Sequence, residues 1–162
     1  KFIGDGIMAL FGLSSDSADG CRRALKAAHG MGKALDEMNE SLSDDLDDPL
    51  RIGIGIHTGS AIIGEIGYSH VKSITAIGDV VNTASRLEPM TKEFKCQLVV
   101  SDHVAKQADV DLTDFPSTEV AIRGREGRMS VYLIEWAREL QLERRMTQPP
   151  NTKTDEEIIA EI

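Results

Sequence analysis

The segment Arg51-Ile52-Gly53-Ile54-Gly55-Ile56-His57 alternates strictly between isoleucine and glycine after its first residue. A period of two is that of a β-strand, so Ile52, Ile54 and Ile56 share one face, and Gly53 and Gly55 share the other. Glycine weakens a strand interior unless another element comes very close to it. A fold built on this segment must bring a packing partner onto a strand face that carries no side chains.

The surrounding pattern predicts the other elements. Phe2-Ile3 and Ile7-Met8 flank Gly4-Asp5-Gly6, and Asp-Gly between short apolar runs signals a hairpin. Ala18, Cys21, Ala24, Leu25, Ala28, Met31, Leu35, Met38 and Leu42 recur at steps of three and four. They predict one long amphipathic helix over 17–43, with Asp16 or Ser17 as its N-cap. The acidic loop before Pro49 ends it. Strands are expected at 61–66 and 73–77, with a loop through Gly67, Tyr68, Ser69 and His70. A helix is expected over 79–94, with Asp79 as N-cap and Val80, Val81, Ala84, Leu87 and Met90 as its buried stripe. Gln97–Val100 reads as a core strand and Ser101 as the cap of a short helix through Lys106. Val120–Ile122 and Ser130–Ile134 read as a last hairpin. Beyond Trp136 the pattern weakens into a short charged helix over 138–146, a linker at 148–151 and an acidic end from Asp155. This order gives an α+β domain with a largely antiparallel sheet and helices gathered on one side.

Composition narrows the function. The 162 residues include 27 acidic and 18 basic side chains, a net charge of -9. Nucleic-acid binding, which needs a basic surface, is therefore not expected. No apolar run approaches the ~20 residues of a membrane span. Cys21 and Cys96 lie far apart without metal or redox spacing, and read as small buried hydrophobes in a reducing compartment. Lys1 rather than Met opens the chain, so the sequence reads as a fragment.

Three groups of residues can carry chemistry. Asp5 at its hairpin tip is either a plain turn aspartate or a carboxylate held out toward a hard cation. Asn82 and Arg86, four apart, share one face of the helix near its N-terminus, where an amide, a guanidinium and free N–H groups can grip an anion. The same pair also fits a solvated polar face. Arg123, Arg125 and Arg128 form a basic cluster in an acidic chain, suited equally to a polyphosphate or to keeping a strand edge soluble. His57 and His70 lack ligand-spaced partners and read as structural or surface residues. The glycines at 53, 55 and 59 give a weak dinucleotide signal, undercut because no helix starts there.

Together and in order, these segments resemble the class III nucleotidyl cyclases, the adenylyl and guanylyl cyclase catalytic domains. The resemblance rests on Lys1-Phe2-Ile3-Gly4-Asp5-Gly6, on RIGIGIHTG followed by AIIGEIG, on TAIGDVVNTASR at 75–86, and on the terminal hairpin. It covers about residues 1–135. It implies a ferredoxin-like domain over 1–136, with the family's first strand and following helices missing, and a charged tail or linker over 137–162.

The resemblance also implies roles. Asp5 matches one of two aspartates that bind two Mg²⁺ or Mn²⁺ ions; the other would precede Lys1. Lys1 and Thr75 match the purine-selecting positions, and the pair points to ATP. Asn82 matches the residue that orients the ribose. Arg86 matches the arginine that stabilises charge at phosphorus, and Arg123 or Arg125 falls where the family has its terminal-phosphate lysine. The implied activity is adenylate cyclase: ATP to cyclic AMP and pyrophosphate in intracellular signalling, in a head-to-tail homodimer. The fragment alone would be inactive. The implied setting is a cytoplasmic domain whose parent chain can carry membrane or sensor segments. The alternative is a non-catalytic cyclase-like module for dimerisation or nucleotide sensing.

Overall fold

Gly4 adopts φ +61° in the turn of a hairpin formed by β1 (Phe2–Ile3) and β2 (Gly6–Ile7). The two turn residues are Gly4 and Asp5, with glycine at the first, positive-φ position, whereas Gly6 of the expected Asp-Gly pair opens β2 opposite Ile3. The computed structural model describes residues 1–68 and 71–143, with side chains at 1–64 and 75–143. Helix α1 (Ser17–Ser41) follows, and its N-cap Asp16 accepts a 2.6 Å hydrogen bond from the Asp19 N–H. The remaining elements are β3 (Ile54–Ile56), β4 (Ile62–Tyr68), β5 (Val71–Ile77), α2 (Asp79–Phe94), β6 (Leu98–Ser101), α3 (Asp102–Ala108), β7 (Ser117–Ala121) and β8 (Arg128–Ile134). A single 3₁₀ turn at Ala137–Glu139 takes the place of the expected charged helix. Residues 140–143 are not helical, and positions 144–146 of that helix, the linker and the acidic end lie outside the described residues, as does His70.

The strands form a four-stranded sheet ordered β3-β6-β8-β7 and two separate antiparallel pairs, β1-β2 and β4-β5. Within the larger sheet β6-β8 and β8-β7 are antiparallel, but β3 runs parallel to β6, with Ile54 opposite Leu98. A parallel pair needs a long crossover. The β4-β5 pair and α2 supply it.

Two cores cover the two faces of this sheet. Leu98, Val100 and Ile134 pack with Cys21, Leu25 and Ala28 of α1 and with Val104, Ala105 and Ala108 of α3. Val99 and Val131, pointing the other way, pack with Leu87 of α2 and with Val120 and Ile122. The helices therefore lie on both faces, not one as the element order implied. The glycines of β3 account for the difference. A Cβ at Gly55 would stand 2.5 Å from the backbone nitrogen of Glu88 and 2.7 Å from the carbonyl of Ala84. The bare strand face is filled by the backbone of α2.

That close approach also changes which residues of α2 are buried. Thr83, Leu87 and Thr91 form the buried line, while Val80, Val81, Ala84 and Met90 are only half-buried. Short side chains suit a helix lying almost against a backbone. The Thr91 hydroxyl is satisfied by donating 2.7 Å to the Glu88 carbonyl. In α1 the expected stripe is buried only as far as Ala28; beyond it Gly32 is buried, but Met31 and Met38 are exposed. A 25-residue helix is about 37 Å long and outruns the core beneath it. The buried amide of Gln97 accepts from the Ala137 N–H at 2.7 Å, which draws Ala137 and Leu140 into the first core. Cys21 is buried and Cys96 half-buried, both as free thiols.

Candidate active site

The N-cap of α2 is Gly78, not Asp79. Gly78 is tucked against the turn before β4, where a Cβ would come within 3.1 Å of the Ser60 carbonyl. Asp79, the first helical residue, is thereby left free to use its carboxylate elsewhere. It lies 3.7 Å from Nε of Arg125, in the turn between β7 and β8.

Asn82 and Arg86 follow on the same helix. Asn82 is exposed, and its side-chain amide makes no hydrogen bond among the described residues. Arg86 is half-buried and donates from Nη1 to the backbone carbonyl of Arg123 in the β7–β8 turn. Gly124 and Gly127 sit at φ +80° in that turn, a conformation glycine adopts without strain. The expected even choice for the arginine cluster thus acquires a geometry. Arg86, Arg123 and Arg125 converge where the N-terminal half of α2 meets the turn, and Arg123 contributes a carbonyl while its own side chain stays exposed. Beside the turn is a cleft of about 180 Å³, lined in part by His103, Ile122, Arg125 and Arg128.

Arg125 has a second partner. Its Nη1 lies 3.2 Å from Nε2 of His57, just past the end of β3. His57 Nδ1 lies 2.8 Å from the hydroxyl of Ser101, which is fully buried at the end of β6. The His57 ring stacks at 6.3 Å on that of His103. Burial, then the Arg125 charge and then His103 push the His57 pKa down from 6.5 to about 4, against an opposing pull from Asp79. His57 is therefore neutral near pH 7.

The other expected site residues stand on different sheets. Thr75, half-buried on β5, is opposite Gly64 in the β4-β5 pair. Lys1 and Asp5 belong to the exposed β1-β2 hairpin and form no hydrogen bond or ion pair with the arginine cluster among the described residues. Asp79 and His57 join the cluster although the sequence marked one as a cap and the other as a lone histidine. The signal for Asp79 was its position one turn before Asn82. For His57 no local signal exists, since its partners are 44 and 68 residues away.

Class III cyclases generally depend on divalent metal ions. Among the described residues no three His, Cys, Asp or Glu side chains gather into a group able to hold one. Asp5 offers an exposed carboxylate, and a single carboxylate holds Mg²⁺ only together with ligands such as substrate phosphates. The described residues do not form a resident metal centre.

A mixed sheet covered by helices on both faces, with Asn82, Arg86 and Arg125 near one rim, defines an α+β domain. Residues 1–136 match the family model of the adenylate and guanylate cyclase catalytic domain, and the chain belongs to that family. It is 34% identical over 145 residues to an adenylate cyclase of Anabaena cylindrica, covering 83% of this chain and 27% of that protein. It is 34% identical over 137 residues to the terminal-differentiation-specific adenylate cyclase of Dictyostelium discoideum, again over 83% of this chain but 6% of the relative. The chain thus spans a small part of these relatives. The guanylyl cyclase Cya2 superposes with a TM-score of 0.70 at 27% identity, over 83% of this chain and 67% of that one. Among the described residues no helix is long and apolar enough to cross a membrane.

Proposed function

We propose that this chain is a fragment of the catalytic domain of an adenylate cyclase, which when complete and dimeric converts ATP to cyclic AMP and pyrophosphate. The observation that carries the reading is the meeting of α2 with the β7–β8 turn, where Arg86 donates to the Arg123 carbonyl and Asp79 pairs with Arg125, one turn from the exposed Asn82. Phosphoryl chemistry is mostly positioning and charge stabilisation, and this rim offers both. Asn82 would hold the ribose so that its 3′-oxygen lines up with the α-phosphorus. Arg86 would leave the Arg123 carbonyl and donate to the oxygens that gain charge as the bond to pyrophosphate breaks. Arg125, with Arg123 beside it, would take the terminal phosphates; arginine suits this through its planar fork of donors.

Lys1 and Thr75 would select adenine, the lysine donating to a ring nitrogen and the threonine hydroxyl accepting from the amino group. Asp5 would give one carboxylate to the Mg²⁺ or Mn²⁺ ions, two in a complete site, that neutralise the phosphates when bound. Because Asp5 lies on a hairpin and makes no hydrogen bond or ion pair with the arginines among the described residues, the reading includes a head-to-tail homodimer in which one copy's Asp5 faces the other copy's Lys1, Thr75, Asn82 and Arg86. Residues 1–136 are taken as a partial catalytic domain, with 137–162 a charged tail or linker whose first turn packs on α1. A cytoplasmic location, with sensor or membrane segments elsewhere in the parent chain, accompanies this reading.

One observation favours the non-catalytic module instead. Arg86 is engaged by a backbone carbonyl. Assaying the full-length protein with Mn²⁺ and ATP or GTP separates the two. Cyclic AMP formation that yields to cyclic GMP formation in Lys1→Glu/Thr75→Cys supports the assignment. No cyclic product from either nucleotide supports the module, and unchanged ATP preference in the double variant refutes the purine assignment.

A further inference from the structure

The hydrogen-bond chain from Ser101 through His57 to Arg125 has a defined polarity. Arg125 can only donate, so the Nε2 it meets at 3.2 Å must be an acceptor. A neutral imidazole with Nε2 unprotonated carries its proton on Nδ1. That proton then points at the Ser101 oxygen, 2.8 Å away. Ser101 is free to accept it: it caps α3, but its side chain makes no capping hydrogen bond. It is also fully buried and held in the β6 ladder opposite Val131, so the chain is anchored at a rigid end. The opposite tautomer would set an N–H against the arginine's N–H. A protonated ring would set cation against cation. The charged and titratable groups around the ring are Arg125 from the β7–β8 turn, His103 from α3 and Asp79 from α2.

The geometry points to His57 as a positioning residue that, as the Nδ1–H tautomer, aims the Arg125 guanidinium toward the nucleotide phosphates. This inference rests on the assignment of Arg125 to those phosphates. Asp79 and the Met129 sulfur, 3.8 Å from Nη1, would by themselves hold Arg125 poorly, because sulfur is a weak acceptor and an exposed 3.7 Å ion pair contributes little and is screened by salt. They also leave the guanidinium free to swing. The further contact, from a ring stacked on His103 and tethered to Ser101, sets the direction of the fork. When phosphate oxygens compete with Asp79 for Arg125, the neutral His57 acceptor can remain in place, since it carries no charge to displace.

The test is a coupling measurement in the full-length protein, with ATP and Mn²⁺. Asparagine at 57 keeps a donor near the Nδ1 position and loses the acceptor at Nε2; glutamine keeps an acceptor near Nε2. Arg125→Ala is expected to raise KM for ATP about tenfold. His57→Asn is expected to raise it about fivefold, the size of one ordinary hydrogen bond. The double variant should be no worse than Arg125→Ala alone, and His57→Gln should recover most of the loss. If the two effects multiply in the double variant, or glutamine fails where asparagine fails, His57 does not act through Arg125. If Arg125→Ala leaves KM unchanged, the phosphate assignment itself fails and the inference goes with it. Nitrogen-15 NMR of the His57 ring gives a readout independent of activity. An Nδ1–H tautomer at neutral pH is expected, and an Nε2–H tautomer overturns the proposal even if every variant folds and turns over.

Discussion

Arg86 shows what one residue can be asked to do in this site. Its guanidinium cannot lose its proton, reaches from the helix to the turn and is satisfied at rest by a neutral carbonyl. A neutral partner gives up an arginine to a phosphate more readily than a carboxylate would, so the ground state is not over-stabilised. Arg86→Ala is therefore expected to lower kcat for ATP by roughly 100-fold while changing KM by less than about threefold, the pattern of an interaction made in the transition state. Steady-state kinetics on the full-length protein decides this. A parallel loss in KM would assign Arg86 to substrate binding. His57 makes the complementary point: a side chain with no sequence-local partner acquires a defined charge state only because burial and a neighbouring guanidinium disfavour its protonated form.

At the scale of elements, the pairing of β3 with α2 sets the site. The glycine face lets α2 come down onto the sheet until its backbone touches the strand. That depth fixes where Asn82 and Arg86 stand relative to the β7–β8 turn. A single methyl group tests it. Gly55→Ala would force its Cβ against the backbone at Glu88 and Ala84, which cannot rotate away, and is expected to destabilise the domain by about 2–3 kcal/mol. Gly64→Ala on β4, where a Cβ meets nothing within 4 Å, should stay within about 0.5 kcal/mol of the parent. Urea denaturation midpoints compare the two, and equal midpoints would mean that α2 does not sit as deep as described.

For the whole molecule, the distribution of exposed apolar surface matters more than the net charge of -9. Phe2 is 80% exposed, Ile7 64% and Ile62 76%, all on the two small antiparallel pairs outside the main sheet. Under the proposed homodimer, Asp5 of one copy and Arg86 of the other complete one site. Asp5→Asn and Arg86→Ala chains, each inactive alone, should then recover about a quarter of parental activity when co-expressed, since half the dimers are mixed and each holds one intact site of two. Recovery no greater than the sum of the separate variants would rule out a shared site. The measurement is cyclic AMP formation by the co-purified mixture.

The sequence by itself determined most of the elements. The Ile–Gly alternation, the Asp16 cap, the Gly4-Asp5 turn and the helix over 79–94 are legible because each depends on neighbours within a few residues. Asn82 and Arg86 could be set on one helix face for the same reason. Tertiary structure alone decided that helices cover both faces of the sheet, that threonines and not valines form the buried line of α2, and that Arg125 meets Asp79 and His57. Each of these joins segments tens of residues apart. Close packing chooses such pairs by fit between whole surfaces, and no local period or spacing carries that information.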